Sequence, residues 1–221
     1  DECRDCRALG GHFASAGGER CEPCAAGTYA LANATDCVPC APNGVSTAGQ
    51  SSRECATCME GFAPDESHAK CELCLNGTSA TAGSPTCASC SPGWVAVPGQ
   101  AGCTKCLGGK HASQPDNSVC IACEPGKFSG DEQIECEGEC AGNEISPTGS
   151  SECTPCEGGR IPSDDRSECV LCEPGKFSEA EGTECKWCEP GSVAPAQGEA
   201  ACTRCDAGFF ESGRVSCVVC D

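Results

Sequence analysis

The runs between turn signals in this chain are only three to five residues long. Such runs suit short β-ribbons and never reach the length at which a helix shows an apolar stripe. The turn signals keep a regular beat. Gly stands three residues after an opening cysteine in ten loops: Gly27, Gly61, Gly77, Gly93, Gly109, Gly126, Gly159, Gly175, Gly191 and Gly208. In "EPG" and "SPG" the Pro presets φ and the Gly supplies the positive φ of a type II turn. The chain is therefore expected to reverse just after each such cysteine and return to the next cysteine pair.

The cysteines define the repeat. All 28 fall in fourteen pairs, thirteen CxxC and one CxxxC at Cys136 and Cys140, with thirteen loops of 11 to 14 residues between them. No segment lies outside this lattice, so neither a separate globular domain nor a linker is expected. An array that opens at Cys3 and closes at Cys220 on a CxxC reads as an excerpt of a longer protein. Near copies recur within it: "CEPGKFSGDEQIEC" from Cys123 to Cys136 and "CEPGKFSEAEGTEC" from Cys172 to Cys185.

Loops also differ in kind. An aromatic follows the turn in those holding Tyr29, Phe62, Trp94, Phe128, Phe177 and Phe209-Phe210, while "NGVSTAG", "NGTSATAG" and "NEISPTG" carry small or hydroxyl residues. Read as an alternation, this gives a unit of two loops and four cysteines, about 32 residues, in which each aromatic covers a disulfide pair. The units run 24–57, 58–89, 90–122, 123–155 and 172–204. Partial repeats at 1–23 and 205–221 flank them, and a single extra loop fills 156–171, where the alternation slips. The expected architecture is a small disulfide-rich fold: an elongated tandem-repeat rod of short β-ribbons and turns, with no helices of note.

Composition supports that frame. Nine aromatics and one Met among 221 residues leave little for a conventional core, and one residue in eight is cysteine, so cross-links must carry much of the stability. The net charge of −19 is spread along the chain, which excludes nucleic acid as a partner because no Lys/Arg patch exists to meet phosphates. Asp131-Glu132 and Asp164-Asp165 are acidic pairs without the ligand spacing of a calcium loop. No apolar run is long enough for a membrane helix, so no insertion by this segment is expected.

Tandem CxxC pairs raise zinc as a rival to disulfides. Only His12, His68 and His111 are present, none at ligand spacing, and two glycosylation sequons begin at Asn33 and Asn76. Disulfides are the expected chemistry, with no metal, no cofactor and no catalytic set. A redox CxxC would need a helix N-terminus to stabilise its thiolate, and none is predicted. Two connectivities fit. Each loop can close at its own base, as in Cys24–Cys37 and Cys40–Cys55. Alternatively, each unit can interlace its cysteines, pairing Cys24–Cys40, Cys37–Cys55, Cys58–Cys74, Cys71–Cys87, Cys90–Cys106, Cys103–Cys120, Cys123–Cys140, Cys136–Cys153, Cys172–Cys188 and Cys185–Cys202. The two-loop alternation favours the interlaced form, because equivalent loops would not need to differ.

The pattern C-x-P-G-x-[FY]-S…C-x-x-C…G-x-[ST]…G…C-x-x-C resembles the ephrin-receptor-like cysteine-rich repeats, also called GCC2/GCC3. The two "CEPGKFS" loops, "CVPCAPNGVSTAGQSSREC" and "CELCLNGTSATAGSPTC" carry the resemblance, which spans essentially the whole chain. The CxxxC at Cys136/Cys140 and the loop from Cys156 to Cys169 depart from it. The resemblance implies an extracellular, disulfide-linked repeat protein without enzymatic residues. Repeats of this kind occur in receptor ectodomains, in large surface proteins of protists and algae and in flagellar-hair proteins. Three functions follow as expectations: a structural spacer or building block of a filament, stalk, flagellar hair or coat; a ligand-binding or adhesion ectodomain; and a cysteine-rich surface antigen. Partners would be other extracellular proteins or copies of the chain itself, with N-glycans at Asn33 and Asn76.

Overall fold

The computed structural model describes residues 6, 11–14, 20–31, 34–49 and 54–220; Cys3 and Asn33 lie outside them. Within this range there is no helix. Twenty-six strands of two to four residues pair as thirteen separate two-stranded antiparallel hairpins, each made of consecutive strands. By contacts the chain divides into two units, Asp1–Lys105 with Ser113–Val119, and Cys106–Ala112 with Cys120–Asp221. The same hairpin design builds both. Each hairpin is named below by its opening cysteine.

The Cys172 hairpin shows how the sequence dictates the design. Pro174 and Gly175 sit at the centre of a turn closed by the Lys176 amide donating to Glu173 O (3.1 Å), with Gly175 at φ +82°. The turn feeds Lys176–Phe177, which pairs with Lys186–Trp187 on the return strand. The Cys188 amide then donates to Gly175 O at 3.0 Å. The turn folds Cys172 back beside the foot of the return strand, where Cys185 waits at a Cα–Cα distance of 5.6 Å. That separation suits a disulfide without backbone movement.

This geometry settles the connectivity against the interlaced expectation. All thirteen disulfides close a loop at its own base, from Cys6–Cys21 to Cys205–Cys217, over 12 to 15 residues and at Cα–Cα distances of 5.5 to 5.8 Å. Cys24 thus joins Cys37 rather than Cys40, and Cys58 joins Cys71 rather than Cys74. Cys90, Cys123 and Cys172 likewise join Cys103, Cys136 and Cys185, not Cys106, Cys140 and Cys188. The turn after each opening cysteine sets the pairing locally, so no partner in the next loop is needed.

The premise behind interlacing, an alternation of two loop kinds, also gives way. Strands of three or four residues occur only in the hairpins opened by Cys6, Cys58, Cys106, Cys156 and Cys205, which is every third one. The two hairpins that follow each of these have strands of two residues. The loop from Cys156 to Cys169 is therefore a regular member of its class and not an extra. The structural unit is three hairpins, a period of about 50 residues, the upper end of the range typical of solenoids and arrays.

Contacts between hairpins follow the same period. The tips of the long hairpins opened by Cys58, Cys106, Cys156 and Cys205 each hold a non-glycine residue at positive φ: His68 at 55°, Asn117 at 47°, Arg166 at 58° and Arg214 at 63°. Each presents its carbonyl to a backbone amide of the preceding short hairpin, Ser46, Ala96, Ser146 and Ala194, at 2.9 to 3.0 Å. Long hairpins also approach the hairpin two further on. The turn glycines Gly61 and Gly159 lie so close to the tip glycines Gly99 and Gly198 that a β-carbon on either would collide with backbone.

The core is built of small atoms. Its buried set consists of cystines, alanines, serines and three valines, with no aromatic side chain among the described residues. Tyr29, Phe62, Trp94, Phe128 and Phe177 are half-buried, while Phe209 and Phe210 are exposed. The interior instead rests on the position six residues after the opening cysteine: Ala30, Ser46, Ala80, Ala96, Ala112, Ser129, Ser146, Ser178 and Ala194 are 0 to 3% exposed. In seven of these nine its carbonyl accepts from the turn-glycine amide of the hairpin before, as Ala80 does from Gly61 (2.7 Å) and Ser146 from Gly126 (2.8 Å). At three of the serines the hydroxyl adds a second link backward: Ser46 Oγ donates to Thr28 O and Ser146 Oγ to Lys127 O, both at 2.7 Å, and Ser129 Oγ to Lys110 O at 3.1 Å. A larger side chain would wedge the hairpins apart.

Candidate functional surface

With small residues inside, the larger apolar side chains face outward. Leu31, Leu73, Leu75, Leu107 and Leu171 are all exposed, as are Met59, Ile121, Ile134 and Val170. Some of these seat neighbouring hairpins. A β-carbon on Gly99, at the tip of the Cys90 hairpin, would lie 3.2 Å from Leu73 Cδ1, so the two are already in contact. Leu171 meets Gly198 in the same way two periods on.

The aromatics do not form one row. Phe62, Trp94 and Phe209 stand four residues after their opening cysteine, whereas Tyr29, Phe128, Phe177 and Phe210 stand five after theirs. Successive strand residues point to opposite faces, so the two sets divide between two faces. Phe128 lies against its cross-strand partner Gly138, filling the space a side chain there would take. Trp187 is 55% exposed and has two cations over its ring, Lys176 Nζ at 4.7 Å and Arg214 Cζ at 5.3 Å from the centroid. It thereby links the Cys172 and Cys205 hairpins through cation–π contact.

The candidate ionisable groups serve the loop tips. Asp165 accepts from the hydroxyls of Ser163 and Ser167, each at 2.8 Å, and from the Ser167 amide at 3.1 Å. These bonds, that of Ser167 foremost, hold its carboxyl below the usual carboxylate range. Asp65 and Asp116 occupy the equivalent tips and are lowered in the same direction, chiefly by Ser67 and Ser113. Asp164, beside Asp165, shares no such cage, and Asp131 instead caps the neighbouring hairpin by accepting from the Gly108 amide at 2.7 Å. His68 Nδ1 is 2.8 Å from Gly44 O, and His111 borders a shallow cleft of about 270 Å³ with Ile121, Glu124, Lys127 and Glu135. His12, Asp131 and Glu132 are each engaged as well.

Of the two sequons, Asn76 falls within the described residues. It is exposed on the turn of the Cys74 hairpin, with Nδ2 3.4 Å from Asp116 Oδ2 and Thr78 Oγ1 donating to Leu75 O. The sulfurs that a zinc site would need as thiolates are paired in S–S bonds, leaving Cys220 as the free, exposed cysteine among the described residues. Thirteen disulfides fit a secreted or extracellular protein, since such bonds persist in oxidising compartments. No helix among the described residues is long and apolar enough to cross a membrane.

Sequence reasoning located the turns, the cysteines and Asn76, but missed the small residue six positions after each opening cysteine. The signal was present: from Ala30 to Ala194 that position is always Ala, Ser or Pro. Compared with known proteins, the chain matches no family model, and no curated protein matches it.

Proposed function

We propose that this chain is an extracellular structural repeat segment, a spacer or building block of a cell-surface filament, stalk, flagellar hair or coat, related to the ephrin-receptor-like repeats. The observation that carries the reading is uniformity. Every hairpin closes a loop of nearly the same length on its own disulfide, and none carries an insertion of the kind a dedicated binding loop would need. Repeats that meet only near neighbours build extended bodies, so the proposed role carries the expectation of an elongated array. Small-angle scattering tests the shape, because a compact domain of this length has a radius of gyration near ~17 Å and the array should far exceed it. Imaging of the native source tests the use: regular fibres or a surface coat containing this chain are expected. N-linked glycan on Asn76, read as a mass loss on glycosidase treatment of natively sourced protein, accompanies the extracellular assignment.

A ligand-binding or adhesion ectodomain is the second reading, favoured by the exposed Phe209, Phe210, Val218 and Val219 of the Cys205 hairpin. Specific capture of one extracellular partner, lost on substituting Phe210 by Ser, would replace the structural reading with this one.

A further inference from the structure

We infer that the array is a two-stage extensible tether whose covalent load path bypasses its loops. The inference rests on the disulfide connectivity, and on the proposed structural role only for its biological use. Because each loop is closed at its own base, tension enters a hairpin at one cysteine and leaves through the disulfide without passing along the 11 to 14 residues between them. From there it crosses the two-residue step of a CxxC and enters the next bridge.

Successive hairpins share no disulfide; besides the CxxC itself they are held by non-covalent contacts. At the junction of the Cys74 and Cys90 hairpins these include three backbone hydrogen bonds: Gly77 N to Ala96 O at 2.8 Å, Ala80 N to Gln100 O at 3.2 Å and Gly99 N to Cys74 O at 3.2 Å. Under load such bonds give way before any covalent bond does. In the first stage hairpins therefore peel apart one from another while each stays closed. Thirteen bridges of 5.5 to 5.8 Å, joined by CxxC steps of about 10 Å each, limit the path from Cys6 to Cys217 to about 200 Å. The same stretch without bridges would reach about 700 Å.

The second stage needs an external dithiol. Its thiolate attacks one sulfur of a bridge and displaces the other cysteine as a thiolate. Its second thiol then closes on the mixed disulfide, so the bridge ends as two cysteine thiols and the reagent as a cyclic disulfide. Each opened bridge adds the hidden loop to the path, about 40 Å for a separation of 13 residues. In the resting array the bridges are sheltered: nine of the thirteen opening cysteines are buried, Cys106 and Cys172 completely. Neighbouring hairpins also reach the sulfurs, as Ser79 Oγ lies 3.5 Å from Cys103 Sγ. Peeling removes that cover, so reduction follows tension.

The test is single-molecule force clamping of the whole chain, held at its two ends, with the Cys220 thiol alkylated. Without reductant the extension should saturate near ~230 Å, the bridged path plus about 30 Å of terminal chain, and show no later steps. With a dithiol present, steps of about 40 Å should follow, up to thirteen of them, at a rate well above that of bridge loss in the unloaded protein. Extension far past ~230 Å in the absence of reductant, steps of another size, or equal reduction rates with and without load would each overturn the tether. Failure to find fibres in the native source would leave these lengths untouched and sink only the proposed biological role.

Discussion

Ala96→Leu tests whether small residues at the sixth position hold the array together. Ala96 is fully buried at a point where three hairpins meet. Its carbonyl accepts from the Gly77 amide (2.8 Å) of the hairpin before, and its amide donates to Asn117 O (3.0 Å) of the hairpin after. A leucine there has no space to enter. Overpacking a filled interior costs about 1–3 kcal/mol. Lengthening the two flanking hydrogen bonds adds about 1 kcal/mol for each one lost. The expected destabilisation is about 2–5 kcal/mol, local to the junction. Val97→Leu is the control, because Val97 is 49% exposed and a surface change of that kind stays within about 0.5 kcal/mol. Native-state hydrogen exchange under oxidising conditions reads the junction directly through the Gly77 and Ala96 amides. Each 1.4 kcal/mol is tenfold in protection, so Ala96→Leu should speed exchange at both by roughly thirtyfold or more, with hairpins several positions away unchanged. If the two variants exchange alike, the sixth position is not the joint of the array.

Gly61→Ala places a β-carbon at φ +79° and against the Gly99 backbone, so it should destabilise the Cys58 hairpin by about 1–2 kcal/mol from the backbone alone, measured by denaturant unfolding with disulfides intact. The tip carboxylates of Asp65, Asp116 and Asp165 are depressed in the folded state, so their contribution is present above their ordinary value of 3.8 and fades as pH falls through the lower folded value. Amide chemical shifts of Ser118 and Ser167 should follow that acid titration, and Asp165→Asn should abolish it at Ser167 alone. A strong chelator should leave the native protein unchanged while a reductant unfolds it; collapse on chelation, with most of the 28 thiols then titrating, would contradict the disulfide lattice.

Much of the hairpin was legible in the chain because its determinants are local. A Pro-Gly pair just after a cysteine specifies a turn whatever surrounds it, and a short apolar run returning to the next CxxC specifies the strand. Gly175 at φ +82° and the pairing of Lys176–Phe177 with Lys186–Trp187 are what "EPGKF" requires. The connectivity was open at that level, because both pairings put cysteines at plausible separations. What decided it was the turn's placement of Cys172 beside Cys185, a geometric fact that spacing alone does not contain. Asn43 and Asn143 illustrate the opposite case. They stand where ten other loops have Gly, without adopting positive φ, and Asn143 uses its Nδ2 instead to reach Cys156 O (3.0 Å) and Ala180 O (2.7 Å).

The period was the misread quantity, and the reason is physical. Aromatics drew attention because they usually mark a core, yet here they lie half-buried or outside, where position constrains them little. Their apparent alternation therefore carries no structural weight. The residues that do bear the period are inconspicuous: the small one at the sixth position and the tip residues His68, Asn117, Arg166 and Arg214, which share a backbone conformation without sharing one residue type. One clue was nevertheless in plain view. The near-identical loops opened by Cys123 and Cys172 lie three hairpins apart, and an odd separation is incompatible with an alternation of two. In a fold whose hairpins are each locked by their own disulfide, side chains on the outside are free to vary. Only the atoms at the joints must recur, so the repeat is written in Gly, Ala, Ser and backbone geometry.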